Sequence, residues 1–336
     1  MLNKIFTKLF WSDELHQSRG PISVGLLSQS RPLPADAYFT HWVQNGFLSL
    51  PQLAKQSVKT IWYLHDEWLL LGAGHYTSPY FPTSILPIQT RILNYLVSGW
   101  KYRYLISPAL GICVPSNWLR EKLIDRGFPA NRVKVIPNPI PDDFFRPTDR
   151  IKARQDLMIP PNEKVILVIA SSTVLDTRKG IDLIEPTLEE FVRINGNVSL
   201  ISVGIREFEL AISGVTHKSL GFVNSESELI RLYAAADVLF VPSRLDNLPQ
   251  VITEAQSVGI PVVAFDVGGV EDAILFPGVS ASLVEPYSIP DAAVALSAFC
   301  NNLENLDRDI WVLAAQSKWS YASIRRSFAV FFHEIH

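Results

Sequence analysis

From residue 165 onward the chain repeats one pattern, a short apolar run followed by an amphipathic stretch of helix length. The apolar runs are 165–170, 198–203, 238–241 and 262–265. The helix-length stretches are 181–193, 226–235, 250–258 and 290–300. Strands separated by helices cannot pair through tight hairpins, so they build βαβ units and a parallel sheet covered on both faces. The first half carries a sparser version, with strands expected at 38–40, 60–64, 111–114 and 133–136. Between the halves lies IPNPIPDDFFRP, residues 136–147, where four prolines oppose both helix and ladder. An α/β chain of 336 residues therefore divides into domains at 1–145 and 146–319, with a last helix at 320–336. Two such domains enclose a cleft, the usual place for a nucleotide.

Composition removes several classes. Hydrophobic residues are 48% and charged residues 19%, so the chain is globular rather than disordered. The net charge of −3 gives no basic field, and no nucleic-acid partner is expected. Cys113 and Cys300 each sit in an apolar run and read as reduced core thiols. No zinc-ligand spacing occurs, and no metal site is expected. No run reaches the length of a spanning helix, and the start lacks the apolar core of a signal peptide, so the expected compartment is the cytoplasm. Two segments stay open to a membrane surface. Residues 2–11 read as a helix packed on the first domain or lying on a bilayer. Residues 85–105 read as core or as a docking face for an apolar acceptor or membrane.

The most informative string is SRLDNLPQVITEAQSVGIPVVAFDVGG, residues 243–269. It leaves the carboxyl end of an expected strand. Asn247 is placed to cap the next helix, with Pro249 in its first turn. Asp246 lies in the loop and Glu254 eight positions later on the helix, so both carboxylates could face one crevice with the free amides of the helix start. Such an array suits a nucleotide sugar: amides to phosphate, one acid to sugar hydroxyls, the other to ribose. Read singly, Asp246 and Glu254 are a loop acid and a surface acid, Lys179 a solvated cation, and His65 a structural histidine.

The string resembles the donor-binding signature of retaining glycosyltransferases with the GT-B fold, in the family 4 group. The variant Asp246-Asn247-Leu248-Pro249 with Glu254-Ala255 is similar to a branch that assembles bacterial exopolysaccharides, colanic-acid-type enzymes among them. DTRKGIDLI, residues 176–184, resembles the family's phosphate-binding turn, in which Lys179 precedes Gly180. Many relatives carry arginine where Thr173 stands, a place Arg178 could fill. Phe222 and Val223, in LGFV, match the loop whose backbone reads the nucleobase. In the first half, His41-Trp42, NGF at 45–47, LHDEW at 64–68, Gly74-His75-Tyr76 and VPSNWL at 114–119 fit the same branch. The match makes His65 the active-site histidine, although Asp66 beside it reads equally as a cap. Relatives begin with a strand and a glycine-rich loop, whereas the first glycine here, Gly20, is isolated. The resemblance thus implies a reduced N-terminal domain and phosphates held mostly from the second domain, or impaired catalysis; it also implies that the last helix, 320–336, packs back on the first domain.

The resemblance implies transfer of a hexose, glucose from UDP-glucose by family frequency, with retained configuration and without a metal. Lys179 and two helix amino ends would carry the leaving diphosphate, Glu254 the ribose, and Asp246 with the 247–249 backbone the hexose. The departing phosphate, rather than a protein nucleophile, would deprotonate the acceptor. The implied acceptor is a saccharide or lipid-linked saccharide at the inner face of the membrane. A sugar-nucleotide-binding relic and a sugar-nucleotide 2-epimerase remain as alternatives.

Overall fold

The computed structural model describes residues 37–41, 54, 59–72, 74–77, 88–146, 149–173, 176–206, 208–302 and 306–335. The expectations for residues 2–11, Gly20, Trp42 and 45–47 lie outside them. The chain forms two compact units, Met1–Ile136 with Phe328–His336, and Pro137–Ser327.

The first unit holds a sheet of β1 (Tyr38–Thr40), β2 (Thr60–Tyr63), β3 (Gly111–Val114) and β4 (Val133–Val135), in that order and parallel throughout. Every residue of β2 and β3 is buried, as expected of strands covered on both faces. The long apolar segment forms α1 (Ile88–Lys101) and runs on as a π-helical turn at Tyr102–Ile106. Trp62 on β2 donates its indole N–H to the Leu105 carbonyl at 3.0 Å, tying that turn to the sheet. After β3, Ser116 caps α2 (Asn117–Asp125) by accepting from the Leu119 amide.

The second unit contains α3 (Arg150–Asp156), β5 (Val165–Thr173), α4 (Ile184–Asn195), β6 (Val198–Arg206), β7 (Val215–Ser219), α5 (Glu226–Ala235) and β8 (Val238–Val241). It continues with α6 (Gln250–Ser257), β9 (Val262–Phe265), β10 (Ala281–Val284), α7 (Ile289–Asn302) and α8 (Arg308–Trp319). Its sheet order is β10-β9-β8-β5-β6-β7, again all parallel. Two of these strands were not expected. β7 reads VTHKS and is largely exposed at one edge, so it lacks an apolar signal. β10, at the other edge, has two of its four residues only half-buried. The helix expected at 181–193 enters through short turns at Thr177–Lys179 and Ile181–Leu183. Pro186 then falls in the first turn of α4, where no N–H is needed.

The proline segment belongs to the second unit from Pro137 on, so the division lies at 136/137 rather than at 145/146. The cause is apolar: Ile140, Phe144 and Phe145 are buried in that unit's core, and the Ile140 amide donates to the Trp319 carbonyl at 2.9 Å. The final helix, α9 (Tyr321–Ile335), gives its end from Phe328 to the first unit, where Phe328 meets the Phe39 ring edge-on. Both cysteines are free. Burial pushes the Cys113 thiol up to about 12. Among the described residues no helix is long and apolar enough to cross a membrane.

Candidate functional site

In an open parallel sheet, ligands bind beyond the carboxyl ends of the strands. There, after β5 and β8, the second unit has a cavity of about 350 Å³. Its lining includes Lys179, Ile181, Ser243, Asp246, Leu248 and Pro249. The two loops that supply them are closely fastened. Gly180 adopts φ +65°, and a Cβ there would stand 1.9 Å from the Pro242 carbonyl oxygen, so only glycine permits the approach. Gly268, at φ +59°, likewise lets the turn after β9 press on the Asp246 backbone, where the Gly269 amide donates to the Asp246 carbonyl at 2.9 Å. Arg244 completes the fastening by bonding the Asp182 carboxylate, and its guanidinium holds that carboxyl below the ordinary range.

This frame brings Lys179 and Asp246 into contact. Lys179 Nζ donates to Asp246 Oδ2 at 2.7 Å, with Arg178 a further 4.0 Å contact to the same oxygen. Asp246 Oδ1 accepts from the Asn247 amide at 3.0 Å. Arg178 also bonds Asp176 Oδ2 at 3.3 Å. The expected cap by Asn247 is not formed. α6 begins at Gln250, and the residue at its cap position is Pro249, which has no side-chain bond to offer. Asn247 lies three residues before the first helical residue.

Glu254 is not in the cavity lining. It sits one turn beyond Val251, which is, and accepts from the Tyr233 hydroxyl of α5 at 2.8 Å. Burial pushes the Glu254 carboxyl up, the Tyr233 bond opposes that shift, and Glu226 adds to it. Tyr233 is a partner of Glu254 that the sequence reading missed. Its signal was a tyrosine inside an otherwise apolar helix face, which needs a partner for its hydroxyl. Phe222 is exposed, while Val223 packs against the core. Thr173 ends β5 in register with Arg206.

His65 stands in the first unit, just after β2. Its Nε2 lies 3.1 Å from Nδ1 of His41, which stacks on Tyr63. Burial, then the His41 charge, lowers the His65 pKa, and Asp66 opposes them. The loop beneath is locked by polar side chains. Asp66 accepts from the Trp68 amide at 2.9 Å and contacts His75 Nδ1 at 2.6 Å. Buried Glu67 accepts from Thr77 and from Lys122 at 2.7 Å. Lys101, wholly buried, donates to the carbonyls of Trp68, Leu71 and Gly72. Asp66 is thus a turn former and a histidine partner at once.

Among the described residues no group of three or more His, Cys, Asp or Glu could hold a metal ion. The expectation that the chain has no Asp-x-Asp tripeptide is wrong: Asp307-Arg308-Asp309 opens α8, and Arg308 donates to the Gly259 carbonyl.

Residues 163–302 match the family model described as "Glycosyl transferases group 1", and residues 5–144 match "Glycosyltransferase Family 4". The chain is 31% identical over 154 residues to a protein of Segniliparus rotundus named "D-inositol 3-phosphate glycosyltransferase", covering 43% of this chain and 34% of that one. With the protein of the same name from Mycolicibacterium smegmatis it shares 30% over 209 residues, 57% of this chain and 45% of that one. The match thus spans less than half the length of these relatives. The structure of Anabaena Alr3699/HepE in complex with UDP-glucose is alike at a TM-score of 0.63 and 22% identity, over 84% of this chain and 76% of that one. The fold is therefore GT-B, two parallel-sheet Rossmann-like domains.

Proposed function

We propose that this chain, built of glycosyltransferase group 1 and family 4 domains on a GT-B fold, moves a hexosyl group from a nucleoside diphosphate to an acceptor hydroxyl. The observation that carries this reading is the Lys179–Asp246 pair in one cavity at the strand ends, on loops that glycines fasten together. One cation suited to a diphosphate and one carboxylate suited to sugar hydroxyls are what a nucleotide sugar presents partners for. UDP-glucose is the donor of first choice, since a GT-B neighbour holds it.

In this reading Lys179, with Arg178 beside it and the backbone amides of the 177–183 turns, stabilises charge growing on the leaving diphosphate. Asp246 and the 247–249 backbone hold the hexose, the 220–223 loop takes the base, and Glu254 exchanges its Tyr233 bond for ribose hydroxyls. The C1–phosphate oxygen bond breaks while the acceptor oxygen bonds to C1 on the same face. The acceptor proton passes to the departing phosphate oxygen, and His65 hydrogen-bonds a sugar hydroxyl. The reaction is metal-independent and retaining. The acceptor is a saccharide or lipid-linked saccharide of bacterial polysaccharide assembly, and the relatives' names add an inositol phosphate as a second acceptor class.

Thermal-shift screening with UDP-, GDP- and ADP-sugars, followed by radiolabelled transfer with and without EDTA, tests the reading. UDP-glucose should raise the melting temperature and turn over in EDTA with an α-linked product. No shift with any nucleotide sugar overturns it. Binding without turnover, even to water, favours the relic, which Thr173 in place of the usual arginine also supports. An epimeric donor would mark the 2-epimerase.

A further inference from the structure

Helix α1 is built inside out. Its buried residues are Thr90, Ser98 and Lys101, all polar, and each faces the unit's interior. Leu93, Val97 and Trp100 are half-buried, but four large apolar residues face the other way: Ile88 is 66% exposed, Ile92 55%, Tyr95 75% and Leu96 59%. At 100° per residue these four fall on one side, with Gly99 between them and open space around it. The reversal is anchored rather than accidental. Lys101 Nζ binds three loop carbonyls and lies 3.7 Å from the centre of the Trp68 ring, and Ser98 donates to the Leu70 carbonyl at 2.7 Å. The helix cannot roll its apolar face inward without stranding that cation. The readings left open for residues 85–105 are thereby separated: the four exposed side chains are not core.

Charge says what suits this face. Arg91 and Arg103 are both exposed beside it, and Tyr104 extends it into the π-helical turn at 42% exposure. Between Glu67 and Glu121 the sequence has no acidic residue at all. A two-fold dimer through this face would set the patch against itself, arginine facing arginine with no carboxylate in the segment to answer them. An anionic bilayer answers both features, taking apolar side chains at the acyl boundary, tyrosines at the interface and arginines among phosphates. The whole chain, at −3, has no general attraction to such a surface, so any binding must be local to this patch.

We propose that the outward face of α1 docks this protein on an anionic lipid bilayer, with Ile88, Ile92, Tyr95 and Leu96 entering the interface and Arg91 and Arg103 meeting lipid phosphates. This deepens the reading of a lipid-linked acceptor, yet it is measured without donor or acceptor.

The experiment is co-sedimentation of the full chain with vesicles of phosphatidylglycerol mixed with phosphatidylcholine, and of phosphatidylcholine alone. Wild type should sediment with the mixture and remain in solution with the neutral lipid. Ile92→Glu combined with Leu96→Glu should lower binding more than tenfold. Arg91→Glu with Arg103→Glu should lower it about tenfold or more, an effect abolished by high salt. Both variants should keep the wild-type melting temperature and its shift with UDP-glucose. No sedimentation with the mixture, or equal sedimentation of wild type and both variants, overturns the proposal. A wild-type dimer in light scattering that Ile92→Glu and Leu96→Glu dissociate, without vesicle binding, overturns it in favour of a second copy. Sedimentation as expected with no UDP-glucose shift in wild type leaves the docking face standing and removes the transfer reading instead.

Discussion

In the second unit the polar pair of the cavity is positioned by backbone: Gly180 and Gly268 let three turns touch, and Lys179 and Asp246 meet as a result. In the first unit the order runs the other way, because side chains hold the backbone. Lys101, Glu67 and Asp66 each bind main-chain groups of the loops between residues 65 and 77, and His65 rides on that framework. The difference follows from the cores. The six-stranded sheet buries a large apolar cluster, whereas the four-stranded one has a small cluster and supplements it with satisfied buried polar groups. A site held by glycine turns tolerates change in the surrounding side chains. A site held by a buried polar network does not, since each lost partner strands another group.

The comparison can be broken most sharply at Lys179. Lys179→Ala should cut turnover about 100- to 1000-fold, as for other preorganised donors to a leaving group, while the melting temperature stays near wild type. A large loss of stability instead would show that the pair is scaffold. Lys101→Met should do the converse, costing about 2–4 kcal/mol because three carbonyls lose their donor. Chemical denaturation would read that loss, and the UDP-glucose shift of the folded protein should survive it.

Glu254→Gln sharpens the contrast further. Losing hydrogen bonds to a charged group should weaken UDP binding by about 1.5–3 kcal/mol, roughly 10- to 100-fold, in calorimetry. Its stability effect has the opposite sign. A carboxyl whose folded pKa is raised favours the fold below its unfolded pKa of about 4.3 and loses that contribution as pH rises through the folded value. Glutamine has no charge to bury, so the variant should be at least as stable as wild type at pH 7, with the gap closing on acidification. A variant less stable at pH 7 would refute this account of the burial. The smallest effect is expected at His41→Gln. Removing a charge that lowers the His65 pKa should move the acidic limb of the rate profile upward by less than about one pH unit. An unmoved limb would separate the two histidines.

Most of the second unit could be read from its sequence because β8 and β9 are apolar along their length, β5 is apolar through Ala170, and their helices keep a 3.6-residue period. β7 and β10 escaped because edge strands are only partly buried, and VTHKS resembles a loop when nothing marks its pairing. The meeting of Lys179 with Asp246 was foreseeable, since both follow strand ends and Lys179 stands beside Gly180. The Tyr233–Glu254 bond was not, because it joins neighbouring helices and each residue alone looks ordinary. Asn247 misled for a local reason: it is a good capping residue placed too early, and Pro249 sets the helix start. Helix α1 was the least legible element. Its composition announced an apolar helix, but only the three carbonyls around Lys101 decide which side faces in.

The contact between Lys179 and Asp246 makes the cavity nearly self-neutralised where the proposed donor would land. An inorganic anion could claim the lysine only by breaking that contact, so it gains little. A molecule bearing both acceptors and hydroxyl donors replaces each half of the contact together. Discrimination against fragments would in this sense already be written into the pair.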